Sequence, residues 1–251
     1  MNYDIGGILN EWDYKGRNEL VVRKITGTDG KPKIQLRIDL GVMQMEWMGR
    51  PDGKRPYGKE SLLDHYLSLL QAQREKYGTD AQFSLTHEDC EKLQMESYQY
   101  YHRRISFFEL EAYAEAEQDA DHNLQIMDLV QAYAADDRDK LSFEQFRPFV
   151  IMHRTRARGL QSVDRKDLDE ALRQIEEGIK EIEEFFRSYD RTDLIEESQE
   201  LTVLREWAEQ ITKERPRSPE ERLQQALQEA IENEEFERAA ELRDALRKFR
   251  L

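Results

Sequence analysis

The chain has 251 residues, enough for one large or two modest domains, and its 38 basic and 53 acidic residues give a formal net charge of −15. Such a charge repels phosphate backbones and anionic lipids, so we expect no direct nucleic-acid binding and no membrane association. A single cysteine, Cys90, excludes an intrachain disulfide framework. No apolar run is long enough to cross a bilayer, and no secretory signal precedes the first strand, so we expect a cytoplasmic protein.

Two strands are predicted near the N-terminus. Residues 20–25 and 33–40 flank Asp29-Gly30, a dipeptide that favours a tight hairpin turn. The second segment alternates between polar and apolar residues, which predicts a strand buried on one face through Ile34, Leu36, Ile38 and Leu40. Past Gly41 the alternation changes phase, to Met43, Met45 and Trp47, which predicts a bulge or a strand break at the glycine. We expect residues 1–57 to form a small antiparallel β-unit.

From residue 58 to residue 213 the sequence predicts a helical body. Thr86 is a good N-cap for one of its helices, and Ser142 with Gln145 suggests a capping box for another. The clearest helical pattern has apolar residues at alternating intervals of four and three: Leu168, Leu172, Ile175, Ile179, Ile182 and Phe186. A second stripe follows on the next helix, so we expect a long antiparallel helix pair within residues 165–212.

Residues 214–218 read as a short linker, and residues 219–251 as two helices joined by Asn233-Glu234-Glu235. Ser218 suits an N-cap and Pro219 the first helical position. A connection this short folds the helices back as an antiparallel hairpin. Each helix carries an apolar stripe: Leu223, Leu227, Ala230 and Ile231 on the first, and Phe236, Ala239, Leu242, Leu246 and Phe249 on the second. So small a hairpin buries little by itself, so the stripes predict a partner.

The sequence of the loop Gly53–Lys59 is close to the phosphate-binding P-loop motif, and it lies between a predicted strand and a predicted helix, as that motif does. Glu60 stands where the motif needs Ser or Thr, and Pro56 removes a backbone N–H from the anion cradle. Nucleotide hydrolysis is therefore disfavoured. A weak anion site formed by Lys54, Arg55 and Lys59 remains as an alternative.

Metal and catalytic motifs are incomplete. His87 and Cys90 have the spacing of metal ligands on a helix, but a second ligand pair is missing. Glu115, Asp119 and His122 lie one turn apart, but they lack the Glu-x-x-His pattern of a carboxylate-bridged metal pair. No Gly-x-Ser-x-Gly sequence marks a nucleophile. We expect no catalytic residues, no metal and no cofactor.

One stretch, residues 98–104, mixes tyrosines with Arg103 and Arg104 and could suggest single-stranded nucleic acid. The tyrosines have helical spacing, so a core role is the better interpretation. The arginines are then expected in salt bridges with the acidic majority.

The C-terminal segment resembles the UVR motif, the helical hairpin at the C-terminus of the excision-repair protein UvrB. Related copies occur in UvrC, in Clp-type ATPases and in McsA-like activators of protein arginine kinases. The matching residues are Ala230-Ile231, Glu235-Phe236-Glu237, Ala239-Ala240-Glu241, Arg243-Asp244 and Leu246. The chain lacks the UvrB helicase elements, the UvrC nuclease signatures and the Cys-x-x-Cys pairs of McsA-like proteins. The resemblance implies a bacterial protein and a protein–protein contact, but not the excision reaction.

We therefore predict a mainly helical protein in which a small N-terminal antiparallel β-unit packs on a multi-helix body that carries a C-terminal UVR-like hairpin. Its predicted function is that of a non-catalytic adaptor in excision repair or Clp-type proteolysis. The partner is a protein with a UVR-like hairpin or a second copy of the chain. The alternatives are a self-associating structural protein and a phosphate-binding protein. The predicted contact residues are Leu227, Ile231, Phe236, Ala239, Ala240, Leu242, Arg243, Asp244, Leu246 and Phe249.

Overall fold

The computed structural model describes residues 4–16, 19–215 and 219–249. It divides into two compact units, Met1–Ala208 and Glu209–Leu251. The predicted fold class is confirmed: the protein is mainly helical, with an antiparallel sheet near its N-terminus and a helical hairpin at its C-terminus.

The sheet has three strands in the order β1-β2-β3: β1 Val21–Thr26, β2 Pro32–Ile38 and β3 Gly41–Glu46. The predicted hairpin at Asp29-Gly30 is present, with the Gly30 N–H donating to the carbonyl of Gly27 at 3.0 Å. Ile38 pairs with Gly41, so the phase change of the apolar pattern marks a chain reversal at Asp39-Leu40. The prediction that Ile38 and Leu40 face the core is wrong, because Ile38 is 42% exposed at the end of β2 and Leu40, which lies in this turn, is 87% exposed.

The helices of the first unit follow the sheet and a 3₁₀ turn at Pro56–Gly58. They are α1 Gly6–Asn10, α2 Leu62–Tyr77, α3 His87–Glu109, α4 Tyr113–Tyr133, α5 Asp137–Glu144, α6 Arg147–Asp164, α7 Leu168–Ser188, α8 Leu194–Glu197 and α9 Gln199–Glu214, the last of which continues into the second unit. No helix in the described part of the chain is both long enough and apolar enough to cross a membrane.

Two predicted helix starts have different outcomes. Thr86 caps α3 through a capping box with Asp89, as its local sequence predicts. The capping box predicted at Ser142 and Gln145 is wrong. Ser142 lies inside α5, whose N-cap is Asp136, and its hydroxyl donates to the carbonyl of Asp139. Arg147 begins α6 directly behind α5, and Pro148 suits the first turn, where its missing N–H costs nothing.

The core of the first unit joins one face of the sheet to helices α3, α4 and α6. Its fully buried members come from both layers: Ile34, Leu36, Met45, Phe107, Ala116 and Ala157. Trp47 closes the edge of this core, with its ring edge-on to Phe107 at a centroid distance of 5.0 Å and its indole N–H donating to Glu115. The small residues Ala116 and Ala157 leave room for the larger sheet side chains.

Helix α7 makes its most extensive contact with α6. The sequence predicts instead that α7 pairs with α9. Gly178 of α7 lies against Thr155 of α6, with no room for a Cβ, so the two helices approach closely. Helix α9 reaches α7 through an ion pair between Arg205 and Glu183, with a separation of 3.0 Å.

The second unit contains the end of α9 and the helices α10 Pro219–Glu232 and α11 Phe236–Phe249. Helices α10 and α11 pack against each other. The predicted linker overlaps the end of α9 at Glu214, and its residues 216–218, including the predicted N-cap Ser218, lie outside the described residues.

Candidate partner-binding hairpin

The connection between α10 and α11 reverses the chain within three residues, Asn233-Glu234-Glu235. The N–H of Glu235 donates to the carbonyl of Ala230 at 2.8 Å, and the N–H of Glu234 to that of Ile231 at 3.1 Å. These two bonds form a Schellman motif, which satisfies carbonyls that the end of a helix leaves free. Glu234 has a φ of 59°, the left-handed conformation that the motif requires. Because the turn is this short, α11 must run back along α10.

The facing sides of the two helices carry small and apolar residues. Ala230, Ala239 and Leu246 are buried, and Leu227 and Leu242 are half-buried. Ala230 lies three residues before the turn and Ala239 four residues after it, while Leu227 lies six before it and Leu242 seven after it, so each pair stands at a similar height in an antiparallel hairpin. Small alanine side chains let the helices approach closely beside the turn. The structure therefore places Ala239 and Leu246, both predicted contact residues, in the buried part of the hairpin.

Two predicted contact residues near the turn remain exposed. Phe236, the first residue of α11, is 70% exposed, and Ile231, in the last turn of α10, is 49% exposed. They are the only large apolar side chains of the second unit with such exposure among its described residues. A phenyl ring in water loses the free energy that burial would give, about 25 cal/mol per Å² of apolar surface. Phe236 and Ile231 therefore form an apolar tip at the turn end of the hairpin.

The other predicted contact residues lie farther along α11. Ala240 is half-buried, while Arg243 and Asp244 are exposed. The guanidinium of Arg243 contacts the carboxylate of Asp244 at 3.2 Å, so the two neighbouring charges partly satisfy each other. Phe249 belongs to α11, but its side chain lies outside the described part of the structure.

The comparison with known families agrees with this geometry. Residues 221–251 match the family model described as the UvrB/uvrC motif. The C-terminal hairpin is a UVR motif. This motif is a helical interaction motif, and the match covers only the end of the 251-residue chain. No curated protein and no solved structure matches the chain.

In the loop with the predicted anion site, an acidic side chain of the chain itself pairs with one of the basic residues. Arg55 forms an ion pair with Glu60. The N-terminus of α2, where an anion would be expected, is occupied by the carboxylate of Glu96, which accepts from the N–H groups of Leu62 at 2.8 Å and Leu63 at 3.2 Å. Lys54 and Lys59 are exposed. These contacts give the prediction of an anion site at Lys54, Arg55 and Lys59 no support.

The side chains considered as metal ligands have separate partners. Glu115 accepts from Trp47, Asp119 pairs with Arg103, and His122 contacts Glu96 at 3.1 Å. Nδ1 of His87 lies 2.7 Å from Asp139, and this contact raises the pKa of His87. Over the described ranges, no group of three or more His, Cys, Asp or Glu side chains is placed to hold a metal ion.

The aromatic and basic stretch at residues 98–104 lies on α3. Tyr100 is buried and stacks on His122 at a centroid distance of 3.6 Å, which agrees with a core role. Arg103 pairs with a carboxylate, as the composition suggests, while Arg104 has no ion pair within the described structure. The sequence carries no signal that separates these two neighbouring arginines, since their partners come from distant helices.

Proposed function

We propose that the protein is a cytoplasmic, non-catalytic adaptor that docks through its UVR motif onto a partner protein with a matching helical hairpin. The observation that carries this proposal is the apolar tip formed by Phe236 and Ile231 in a hairpin that matches an interaction motif. Aromatic side chains that become fully desolvated are the typical energetic centres of protein interfaces.

Some of the proposed interface residues contact the partner directly, and others hold the two helices of the hairpin together. Phe236 and Ile231 bury against the partner, and Leu227 and Leu242 extend this surface where they are half-buried. Ala239, Ala240 and Leu246 act indirectly, by holding the two helices at the separation that presents the tip. Arg243 and Asp244 lie exposed beside it and set the orientation of the partner by charge. Excision repair and Clp-type proteolysis are the two proposed pathways for the partner.

The decisive experiment is affinity capture from native lysate with three full-length baits: the natural chain, Phe236→Ala and Leu141→Ala. Leu141, on α5, is 60% exposed and serves as the matched control for loss of an exposed apolar side chain. We expect the natural chain and Leu141→Ala to capture the same repair or Clp-family protein, and Phe236→Ala to lose it. For a purified pair, loss of a central aromatic costs on the order of 2 kcal/mol, or about thirtyfold in Kd.

Two other outcomes would contradict the proposal. Capture that is unchanged by Phe236→Ala, together with a lower melting temperature, would make the hairpin a structural cap. A mass that rises with concentration in sedimentation equilibrium, and falls in Phe236→Ala without any captured protein, would favour the self-associating alternative. In that case the second copy of the chain is the partner.

A further inference from the structure

A cavity of about 530 Å³ lies within the first unit, among residues of α3, α4, α5, α6 and the start of α9. Its walls are largely apolar and aromatic, with contributions from Tyr98, Tyr101, Met127, Phe143, Phe146 and Phe149. Tyr98 is 46% exposed and Phe146 45% exposed, so they lie where the cavity meets solvent. Pockets for small organic molecules have volumes of roughly 300–1,000 Å³ and apolar walls with a few polar groups. The cavity has the size and lining of such a pocket.

The most unusual group in its wall is the guanidinium of Arg104. Arg104 is 1% exposed, and its Nε donates to Nδ1 of His153 at 3.1 Å. Its Nη1 is buried and has no hydrogen-bond partner. Among the described residues, no carboxylate lies within ion-pair distance of Arg104, and the nearby Asp119 is engaged by Arg103. The Tyr101 ring, with its centroid 5.7 Å from the guanidinium carbon, and the charge of Asp119 beyond ion-pair distance compensate Arg104 in part. A buried guanidinium without a directly bonded counter-charge still favours an anionic partner.

Two further polar atoms in the same wall lack partners. The hydroxyl oxygen of Ser97 and Oδ1 of Asn123 are buried without hydrogen bonds, although Nδ2 of Asn123 donates to the carbonyl of Ser97. Asn123 is itself only 3% exposed. Buried polar groups in proteins are nearly always paired, so three unpaired ones on residues that line one cavity favour a polar ligand group there. Glu200, which also lines the cavity, accepts from Ser198 and adds a negative charge to the wall.

We propose that this cavity binds a small organic carboxylate, with its carboxylate group on Arg104 and its apolar body against the aromatic walls. A guanidinium matches the planar geometry of a carboxylate and forms two parallel hydrogen bonds with it. The Ser97 hydroxyl, which has no hydrogen-bond partner of its own, would donate a further bond to the bound anion. Glu200 repels any anion in the cavity, but it repels the doubly charged phosphate more strongly than a carboxylate, and the apolar walls give phosphate nothing to bury against.

The test is isothermal titration of the full chain with 3-phenylpropionate, hexanoate, indole-3-acetate and inorganic phosphate. The neutral amide, 3-phenylpropanamide, has nearly the same shape as the first probe but no charge. We expect at least one carboxylate to bind, 3-phenylpropionate to bind at least tenfold more tightly than its amide, and phosphate to bind more weakly than the carboxylates. The absence of binding by all three carboxylates at 10 mM would overturn the proposal, as would equal binding of acid and amide or stronger binding of phosphate.

Two variants locate the ligand. Arg104→Gln should abolish the preference for acid over amide, whereas Arg156→Gln, an equal loss of charge at an exposed position outside the cavity, should keep it. If Arg104→Gln does not fold, the half-exposed Phe146→Ala tests the same cavity through its apolar wall and should weaken both compounds. Binding that is unchanged in the wall variant would place the ligand elsewhere and contradict the proposal.

Discussion

Arg104 and His153 are joined by a buried hydrogen bond, in which Nε of the guanidinium donates to Nδ1 of the imidazole at 3.1 Å. Nδ1 must therefore carry no proton, so the imidazole is neutral, with its proton on Nε2. Burial, assisted by the charges of Arg104 and Arg156, lowers the pKa of His153 to about 3. A histidine held neutral in the fold makes stability depend on pH.

The first prediction is that the protein loses stability as the pH falls from 6.5. The unfolded chain binds a proton at His153 below its ordinary pKa of 6.5, while the folded chain does not until about pH 3. Stability therefore rises with pH between these values. The contribution of His153 is about 1.6 kcal/mol between pH 6.5 and pH 5.0, since one pH unit corresponds to about 1.4 kcal/mol and the unfolded histidine is already half-protonated at pH 6.5.

Urea denaturation at these two pH values measures this contribution as the difference between the natural chain and His153→Asn, whose side-chain oxygen can still accept from Arg104. We expect the variant to have the smaller pH dependence. An equal pH dependence in both proteins would show that His153 keeps its ordinary pKa in the fold.

A second prediction concerns the buried ion pair between Arg103 and Asp119. Nε and Nη2 of Arg103 donate to the two carboxylate oxygens at 2.9 and 2.6 Å, and Nη1 donates to the carbonyls of Glu46 and Gly49 at 3.1 and 2.6 Å. The arginine thus joins α3 and α4 to the end of β3. Asp119→Leu leaves a buried, unpaired guanidinium and should cost about 3–5 kcal/mol of unfolding free energy.

The double variant Arg103→Met/Asp119→Leu supplies the control, because it removes both charges. Its loss of stability should be smaller than the sum of the two single losses. Denaturant titration of all four proteins completes the cycle. Additive losses would mean that the two side chains do not interact in solution.

The sequence predicts the parts of the fold that depend on neighbouring residues. Ile34 and Leu36 are buried as predicted, although Lys33, Gln35 and Arg37 on the other face of β2 are buried as well. The Thr86 cap forms with Asp89, only three residues away. At Gly41 the sequence predicts a bulge or a strand break but not a tight chain reversal, because Asp39-Leu40 contains neither glycine nor asparagine. That turn is held by Arg37, whose Nη1 donates to the carbonyls of Asp39 at 2.9 Å and Gly41 at 3.2 Å. A guanidinium reaching over its own turn has no local sequence signal.

The candidate sites divide in the same way. The apolar stripe of α11 predicts that its side chains are buried against another surface. It does not predict which of them pack on α10 and which remain available to a partner. In the structure Leu246 is buried and Phe236 is exposed, a distinction that follows from the position of the turn. The Arg104 cavity could not be predicted, because residues from several helices create it and no motif marks them.

The third prediction is that Cys90 is unreactive in the folded protein. Cys90 is 1% exposed, and burial, with added repulsion from Asp139 and Asp89, raises the pKa of its thiol to about 12. Thiolate is the reactive form, so Ellman's reagent at pH 8 should modify Cys90 about a thousandfold more slowly than an ordinary exposed cysteine. The control is Cys90→Ser/Gln82→Cys, which moves the single thiol to an exposed position. Comparable rates in the two proteins would show that the N-terminal turn of α3 opens readily.

The fourth prediction is that Glu234→Gly stabilises the hairpin. Glu234 has a φ of 59°, a conformation that costs a residue with a Cβ roughly 1 kcal/mol and that glycine adopts freely. The N–H of Glu235, bonded to the carbonyl of Ala230, should then exchange with deuterium about fivefold more slowly, as 1 kcal/mol of added local stability requires. Asn233→Gly, one residue earlier, outside the left-handed position, adds chain flexibility without relieving strain, so it should speed the same exchange. Faster exchange in Glu234→Gly would mean that the glutamate side chain stabilises the turn by more than its backbone strain costs.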